Sequence, residues 1–157
     1  MNAETIPARV VIGGPEGLHT RLLGALVGAF RDRDAIADGA RTDLHFSFGH
    51  FEHLCQSQRR THLLLAINGA ESLHEANMLR VAQHAGVRKV ILICLGGCDA
   101  LARHQKLAES GRLKAVVVGS VEEESEAKRI LGNTPSVLIA PNLTEATSDI
   151  AVAVLES

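Results

Sequence analysis

The sequence predicts an α/β fold: a three-layer sandwich with a mostly parallel open sheet of about six strands. Three observations carry that expectation. The mid-chain stretches Leu63–Asn68 and Lys89–Leu95 are apolar runs without alternation, as strands covered on both faces require. Glycine stops both runs, at Asn68-Gly69 and at Gly96-Gly97. One helical segment, ended at Gly86, separates them, which makes a βαβ unit with a right-handed crossover. The chain has 157 residues, enough for one domain. A domain of that size buries about two-thirds of its unfolded surface without a metal or disulfide.

The remaining elements follow in order. Residues 1–7 read as a loose tail. Ala8 to Ile12 is a first strand, ended by Gly13-Gly14-Pro15, because proline cannot continue a strand and glycine permits a tight turn. A helix follows from about Gly17 to Arg33, with Leu22, Leu23, Leu26, Val27 and Phe30 on one face. Gly24 and Gly28 lower its propensity, and their spacing would let a neighbouring backbone approach closely. Asp38-Gly39 reads as a turn. Asp43 to Phe48 then alternates apolar and polar residues, which predicts a half-covered edge strand. Phe51 to Gln58 is a short helix or turn.

The helix after Asn68-Gly69 runs from about Ser72 to Ala85. Ser72 and Glu75 make a capping-box pattern, and Ala76, Leu79, Ala82 and Ala85 form the expected inner stripe, with Leu73 and Met78 beside it. Asp99 to Ser110 is a further helix, ended by Gly111. Lys114 to Val118 is the next strand. The following helix, from about Val121 to Gly132, carries Glu122, Glu123, Glu124 and Glu126 early and Lys128 and Arg129 late, an order that suits the helix dipole. Val137 to Ala140 is the last strand, stopped by Pro141. A terminal helix opens at Leu143 or Thr144, with Ile150 and Val154 four apart.

Composition narrows the function classes. Apolar residues make up 46%, but the chain has four Phe and no Trp or Tyr, so it lacks a stacking platform for bases. The formal net charge is −2, and cations occur only in small groups such as Arg31 and Arg33, Arg59-Arg60 and Arg88-Lys89. Both features argue against nucleic acid as a partner. Cys55, Cys94 and Cys98 are an odd number, two of them in or beside a buried strand, which points to a reducing compartment. The N-terminal residues lack the pattern of a signal peptide and no apolar run reaches membrane-spanning length, so the expectation is a cytoplasmic protein without membrane attachment.

Ligands of open α/β sheets bind beyond the carboxyl ends of the strands. Five of the six predicted strand ends carry glycine: Gly13-Gly14-Pro15-Glu16-Gly17, Gly49-His50, Asn68-Gly69, Gly96-Gly97-Cys98-Asp99 and Gly119-Ser120. The sixth is Pro141-Asn142. The candidate binding set is therefore Gly13, Gly14, Gly17, Thr20, Gly69, Gly97, Asp99 and Ser120, with a nucleotide as the candidate cofactor. The first loop leads into a helix N-terminus, where free N–H groups can hold phosphate. It lacks the lysine of G-x-x-x-x-G-K-[ST], and Gly14-x-x-Gly17 is not a full G-x-G-x-x-G. Candidate catalytic groups are His19, His50 and Asp99. A base–carboxylate pair of His50 and Asp99 beside Ser120 or Cys98 would be the elements of hydrolase chemistry. His50-x-x-His53-x-Cys55 carries zinc-binding side chains but no fourth ligand at ordinary spacing, so no metal is expected. Cys94 reads as a buried core thiol, and Cys98 as the more reactive one if exposed.

In order along most of the chain, these motifs resemble the GTPase domain of translation factors of the elongation-factor Tu and selenocysteine-factor type. Ile12-Gly13 through His19-Thr20 falls on the phosphate loop, and Gly49-His50-Phe51-Glu52 on the Gly-His of D-x-P-G-H. Leu64 to Asn68, then His74 to Gly86-Val87, matches the strand and helix before the base-specificity strand. Gly96-Gly97-Cys98-Asp99 falls on N-K-x-D, and Gly119-Ser120 on the later Ser-Ala loop. The resemblance implies that Asp99 accepts from guanine and Thr20 lies near phosphate. His19 replaces the phosphate lysine, Phe46 the magnesium aspartate and Gly96-Gly97 the Asn-Lys pair, and the segment from Thr20 to Asp43 is shorter than a switch I. Such a domain would lack efficient hydrolysis.

Asn77 to Ile93, with its turn Ala85-Gly86-Val87-Arg88-Lys89, also resembles extended short-chain dehydrogenases. Without a tyrosine, the Y-x-x-x-K mechanism of that family is excluded, and His104 and Lys106 have the wrong spacing to replace it. The expectation is a non-catalytic GTPase-like or Rossmann-like domain acting as an interaction or regulatory module. It would work through a protein partner or a homo-oligomer, with the edge strand as its pairing surface. The alternative is a nucleotide- or phospho-metabolite-binding enzyme using the glycine-lined crevice.

Overall fold

The computed structural model describes residues 9–13, 20–39, 48–57, 60–68 and 73–157. The expected tail at 1–7, the residues Gly14, Gly17 and His19, Gly69, Ser72, and positions 43–47 of the expected edge strand lie outside the described residues.

Six strands form one all-parallel sheet: β1 (Arg9–Gly13), β2 (Ile36–Gly39), β3 (His62–Asn68), β4 (Lys89–Leu95), β5 (Leu113–Val118) and β6 (Ser136–Ile139). Their order is β2-β1-β3-β4-β5-β6. The helices are α1 (Thr20–Arg31), α2 (Phe48–Ser57), α3 (Leu73–His84), α4 (Gln105–Glu109), α5 (Val121–Leu131) and α6 (Thr147–Leu155), with a 3-10 segment at Asp99–His104 leading into α4.

The sheet is the middle of three layers. On one face, Val10, Ile12, Leu64, Ala66, Ile91, Ile93, Ala115 and Val117 pack against Leu22, Leu26 and Phe30 of α1 and Ile150 and Val154 of α6. On the other, Val11, Leu63, Leu65, Ile67, Leu92 and Val116 meet Phe51 of α2, Met78 and Ala82 of α3, Leu101, Ala108 of α4 and Ala127 of α5. Neighbouring residues of one strand thus enter different cores, which is why the central runs show no polar alternation.

Several local expectations are corrected. The edge strand is β2 at Ile36–Gly39, where a turn was expected at Asp38-Gly39, and Phe48 opens α2 instead of closing a strand. Gly24 and Gly28 have no close neighbour among the described residues: a methyl group at either position would meet none of them within 4 Å. Of the expected inner stripe of α3, Ala82 is buried and Leu79 and Ala85 pack against the core, with Met78 buried beside them, but Ala76 is exposed and Glu75 takes the inward place in the first turn. Asp99 to Ser110 is not one α-helix, since its first six residues are 3-10. The last helix begins at Thr147, after a turn in which Asn142 Oδ1 accepts from the Thr144 and Glu145 amides.

Candidate functional site

The strand order reverses direction between β1 and β3. From β1 the chain crosses over α1 to β2 on one side, then returns by α2, on the opposite face, to β3 on the other side. α1, which follows β1, and α3, which follows β3, therefore lie on opposite faces, and the carboxyl ends of these two strands mark the switch-point crevice at which open α/β sheets bind ligands. Gly13 closes β1 and Asn68 closes β3, which runs on past the last β1 pairing, Gly13 with Leu65.

Gly13 leaves room for the flexible end of a buried side chain. A Cβ there would collide with Cε of Met78, which is fully buried on α3. The absent side chain lets α3 seat against β1 and β3 just below the crevice.

The end of β3 is held by a buried ionic network. Arg103 Nη2 donates to the Asn68 carbonyl at 3.2 Å and to Glu75 Oε1 and Oε2, each at 3.0 Å. Its Nε donates to Oε2 at 3.2 Å. His104 Nε2 lies 3.0 Å from the same Oε2. Glu75 and His104 are buried, and Arg103 is partly so. Burial by itself would raise the Glu75 carboxyl. Hydrogen bonds from His104 and Arg103, reinforced by their charges, outweigh it and hold the group below its ordinary value of 4.5. Three elements are tied at one point: the end of β3, the first turn of α3 and the 3-10 segment. Sequence pattern places Glu75 in a capping box and gives Arg103 and His104 no part in a site, because residues 28 and 29 apart carry no spacing signal.

At the ends of β4 and β5 the expected residues do come together, but in structural roles. Gly96 and Gly97 have φ of +75° and +123°, conformations that favour glycine. They turn the chain so that Cys98 points inward, where its Sγ–H donates to the Glu123 carbonyl at 3.6 Å. Burial, then the charges of Glu123, Glu126 and Asp99, push the Cys98 thiol up; its expected reactivity required exposure, and the side chain is buried. Ser120 is the N-cap of α5: its Oγ accepts from the Glu123 amide at 3.2 Å, while the Glu123 carboxylate accepts from the Gly119 amide. Ser120 and Glu123 stand at the capping-box spacing, a signal the sequence held. Asp99 is exposed at the start of the 3-10 segment.

Thr20 opens α1 and His50 lies in α2, with side chains outside the described set. On α2, His53 is exposed whereas Cys55 is buried in the core, its thiol raised to about 11 by burial. These two residues thus face different ways and do not share a ligand. No group of three or more His, Cys, Asp or Glu suited to a metal ion occurs among the described residues. Cys94 is the buried core thiol expected, raised by burial to about 12. Among the described residues no helix is long and apolar enough to cross a membrane. No protein-family model and no curated protein matches the chain.

Proposed function

We propose that the chain is a non-catalytic, GTPase-like or Rossmann-like α/β domain. It takes a nucleotide or phosphorylated metabolite at the β1–β3 crevice and acts as a regulatory or interaction module. The observation that carries this reading is how the reactive groups around the crevice are used. The Ser120 hydroxyl caps α5, the Cys98 thiol is buried and bonded, and Glu75 and His104 are locked with Arg103. Each serves the scaffold, so among the described residues the site gains a rigid floor and no activated nucleophile. Of the three candidate catalytic residues, Asp99 alone has a described side chain, and its exposure leaves it available to a ligand. The module reading also draws on β2, which pairs with β1 alone among the described strands and leaves its outer edge for a protein partner or a second copy.

The test is a thermal-shift titration with GTP, GDP, NADH, NADPH and inorganic phosphate, with and without magnesium, run beside a phosphate-release assay. The expected result is a dose-dependent rise for one nucleotide, about 5–10 °C at a hundredfold excess over Kd, without turnover. Turnover of the bound ligand would favour the enzyme alternative. A flat response at millimolar concentrations would refute the crevice as a nucleotide site.

A further inference from the structure

A bulge in β5 shapes a cavity at the amino ends of β5 and β6. In the β4–β5 ladder Val90 faces Leu113 and Ile91 faces Ala115, so Lys114 is an extra residue without a place in the ladder. Leu113 belongs to the core beneath α3 and α5, and Ala115 to the core beneath α1 and α6. A bulge re-aims a side chain, and here it sets Lys114 beside Ala115 in the lining of a cavity of about 340 Å³. The other walls come from Ser136 and Leu138 of β6 and from Ala153 of α6, with Glu156 just past the end of that helix.

Two opposite charges line this cavity, and the fold uses neither. Lys114 and Glu156 are both exposed. Among the described residues neither side chain makes a hydrogen bond or an ion pair, with the other or elsewhere. On α5, by contrast, Lys128 pairs with Glu124 and Arg129 with Glu126. The backbone that carries Glu156 is held in place. Its amide donates to the Val152 carbonyl at 3.0 Å and the Ser157 amide to the Val154 carbonyl at 3.1 Å. The Ser157 carbonyl accepts from Lys89 Nζ at 2.8 Å, which ties the end of α6 to β4. The apolar part of the lining is Ala115, buried, with Leu138 and Ala153, both half-buried.

We propose that this cavity binds a small zwitterion of the α-amino acid class. Lys114 takes the carboxylate, Glu156 takes the ammonium group, and an aliphatic side chain lies against Ala115, Leu138 and Ala153. A cation and an anion that share one cavity without pairing complement a ligand that carries both charges. A ligand with a single charge satisfies one of them and is repelled by the other. The lysine ammonium is a flexible point charge, so it holds a carboxylate without a fixed fork geometry. The volume lies at the small end of the range for ligand pockets, as a ligand of this size requires. The site is separate from the β1–β3 crevice, which lies at the carboxyl ends of the strands, and it does not depend on nucleotide binding there.

The experiment is an amide-resolved NMR titration of the full chain with L-leucine, with isocaproate and isopentylamine as matched probes that each lack one of its charges. L-Leucine is expected to move the Lys114, Ala115, Val137 and Glu156 resonances while those of Gly96 and Gly97 stay in place. Each single-charge probe should bind about fivefold more weakly or worse, because it loses one charged contact and meets a like charge. Charge reversal gives a readout that a purely structural role would not move. Glu156→Lys should make isocaproate bind more tightly than L-leucine, and Lys114→Glu should do the same for isopentylamine. Both residues are exposed, so both variants should fold. Unmoved resonances at tens of millimolar L-leucine would overturn the proposal. So would a single-charge probe that binds the parent as well as L-leucine does, or a charge reversal that leaves the order of affinities unchanged.

Discussion

His62 should make this protein lose stability in mild acid, and replacing it with leucine should remove that loss. The imidazole sits at the start of β3, buried. Nδ1 lies 2.7 Å from the Thr61 hydroxyl, and Nε2 has no hydrogen-bond partner among the described residues. Burial, and secondarily the Lys89 charge, lower its pKa from 6.5 to about 4. The sign follows from proton linkage. Between those two values the unfolded chain binds a proton that the folded chain does not, so stability falls as pH drops from about 6.5 to about 4 and levels off below. At pH 5 an unfolded imidazole is almost fully protonated and the folded one only about one-tenth so. Relative to pH 7 this removes about 2 kcal/mol. Urea unfolding followed by circular dichroism at pH 7 and pH 5 reads that difference as a midpoint shift of about 1 M. His62→Leu conserves volume and removes an orphaned polar nitrogen, so its stability at pH 7 should lie within about 1 kcal/mol of the parent. Titration of the other histidines is common to both proteins and cancels in the comparison. Glu75 titrates below its ordinary 4.5 and leaves this window undisturbed. If parent and variant lost equal stability between pH 7 and pH 5, the buried neutral imidazole would be refuted.

Four further perturbations test other parts of the reading. Glu75→Gln should cost about 3 kcal/mol in urea unfolding at pH 7, because it strands the Arg103 and His104 donors. It should also remove the part of acid unfolding that appears as pH falls below 4.5, since a depressed carboxyl stabilises above its unfolded value and loses that as it protonates. Gly24→Ala and Gly28→Ala should each stabilise by about 0.5–1 kcal/mol, or a few degrees in Tm, because both sites have open space for a methyl group. Ser120→Ala should cost about 1 kcal/mol through loss of the α5 cap and leave any nucleotide Kd unchanged; a large loss of affinity would make Ser120 a ligand contact. Gly13→Ala should destabilise by about 1–3 kcal/mol, and Met78→Val should relieve part of that in a double-mutant cycle, because the added Cβ meets the Met78 methyl.

The layers and central strands were legible because their physics is local. A strand buried on both faces must be a short apolar run, and β3, β4 and β5 read as such from their own residues. β2 was not, because Ile36-Ala37-Asp38-Gly39 contains a strong turn dipeptide and becomes a strand only by pairing with Arg9–Ile12. The same limit hid the core of the crevice. A charged residue is not placed on the inner stripe of a helix from pattern alone, so the first position of the α3 stripe reads as Ala76 where the fold has Glu75, while Leu79, Ala82 and Ala85 keep their inward places. Burying Glu75 becomes favourable only once Arg103 and His104 arrive from 28 and 29 residues away. Gly24 and Gly28 were misjudged for a related reason: four-residue spacing describes an opening, and only the fold decides whether a neighbour fills it.

The buried charges at the carboxyl ends of the strands bear on function. A buried ion pair is seldom the most stable solution for a core, since apolar side chains of the same volume often do as well or better. The Glu75–Arg103–His104 network is therefore poorly explained by stability alone. It is better explained by what it joins: it ties the Asn68 carbonyl to α3 and to the 3-10 segment, so the loops leaving β3 and β4 start from defined positions. That is what a crevice needs if it is to recognise a ligand with little rearrangement.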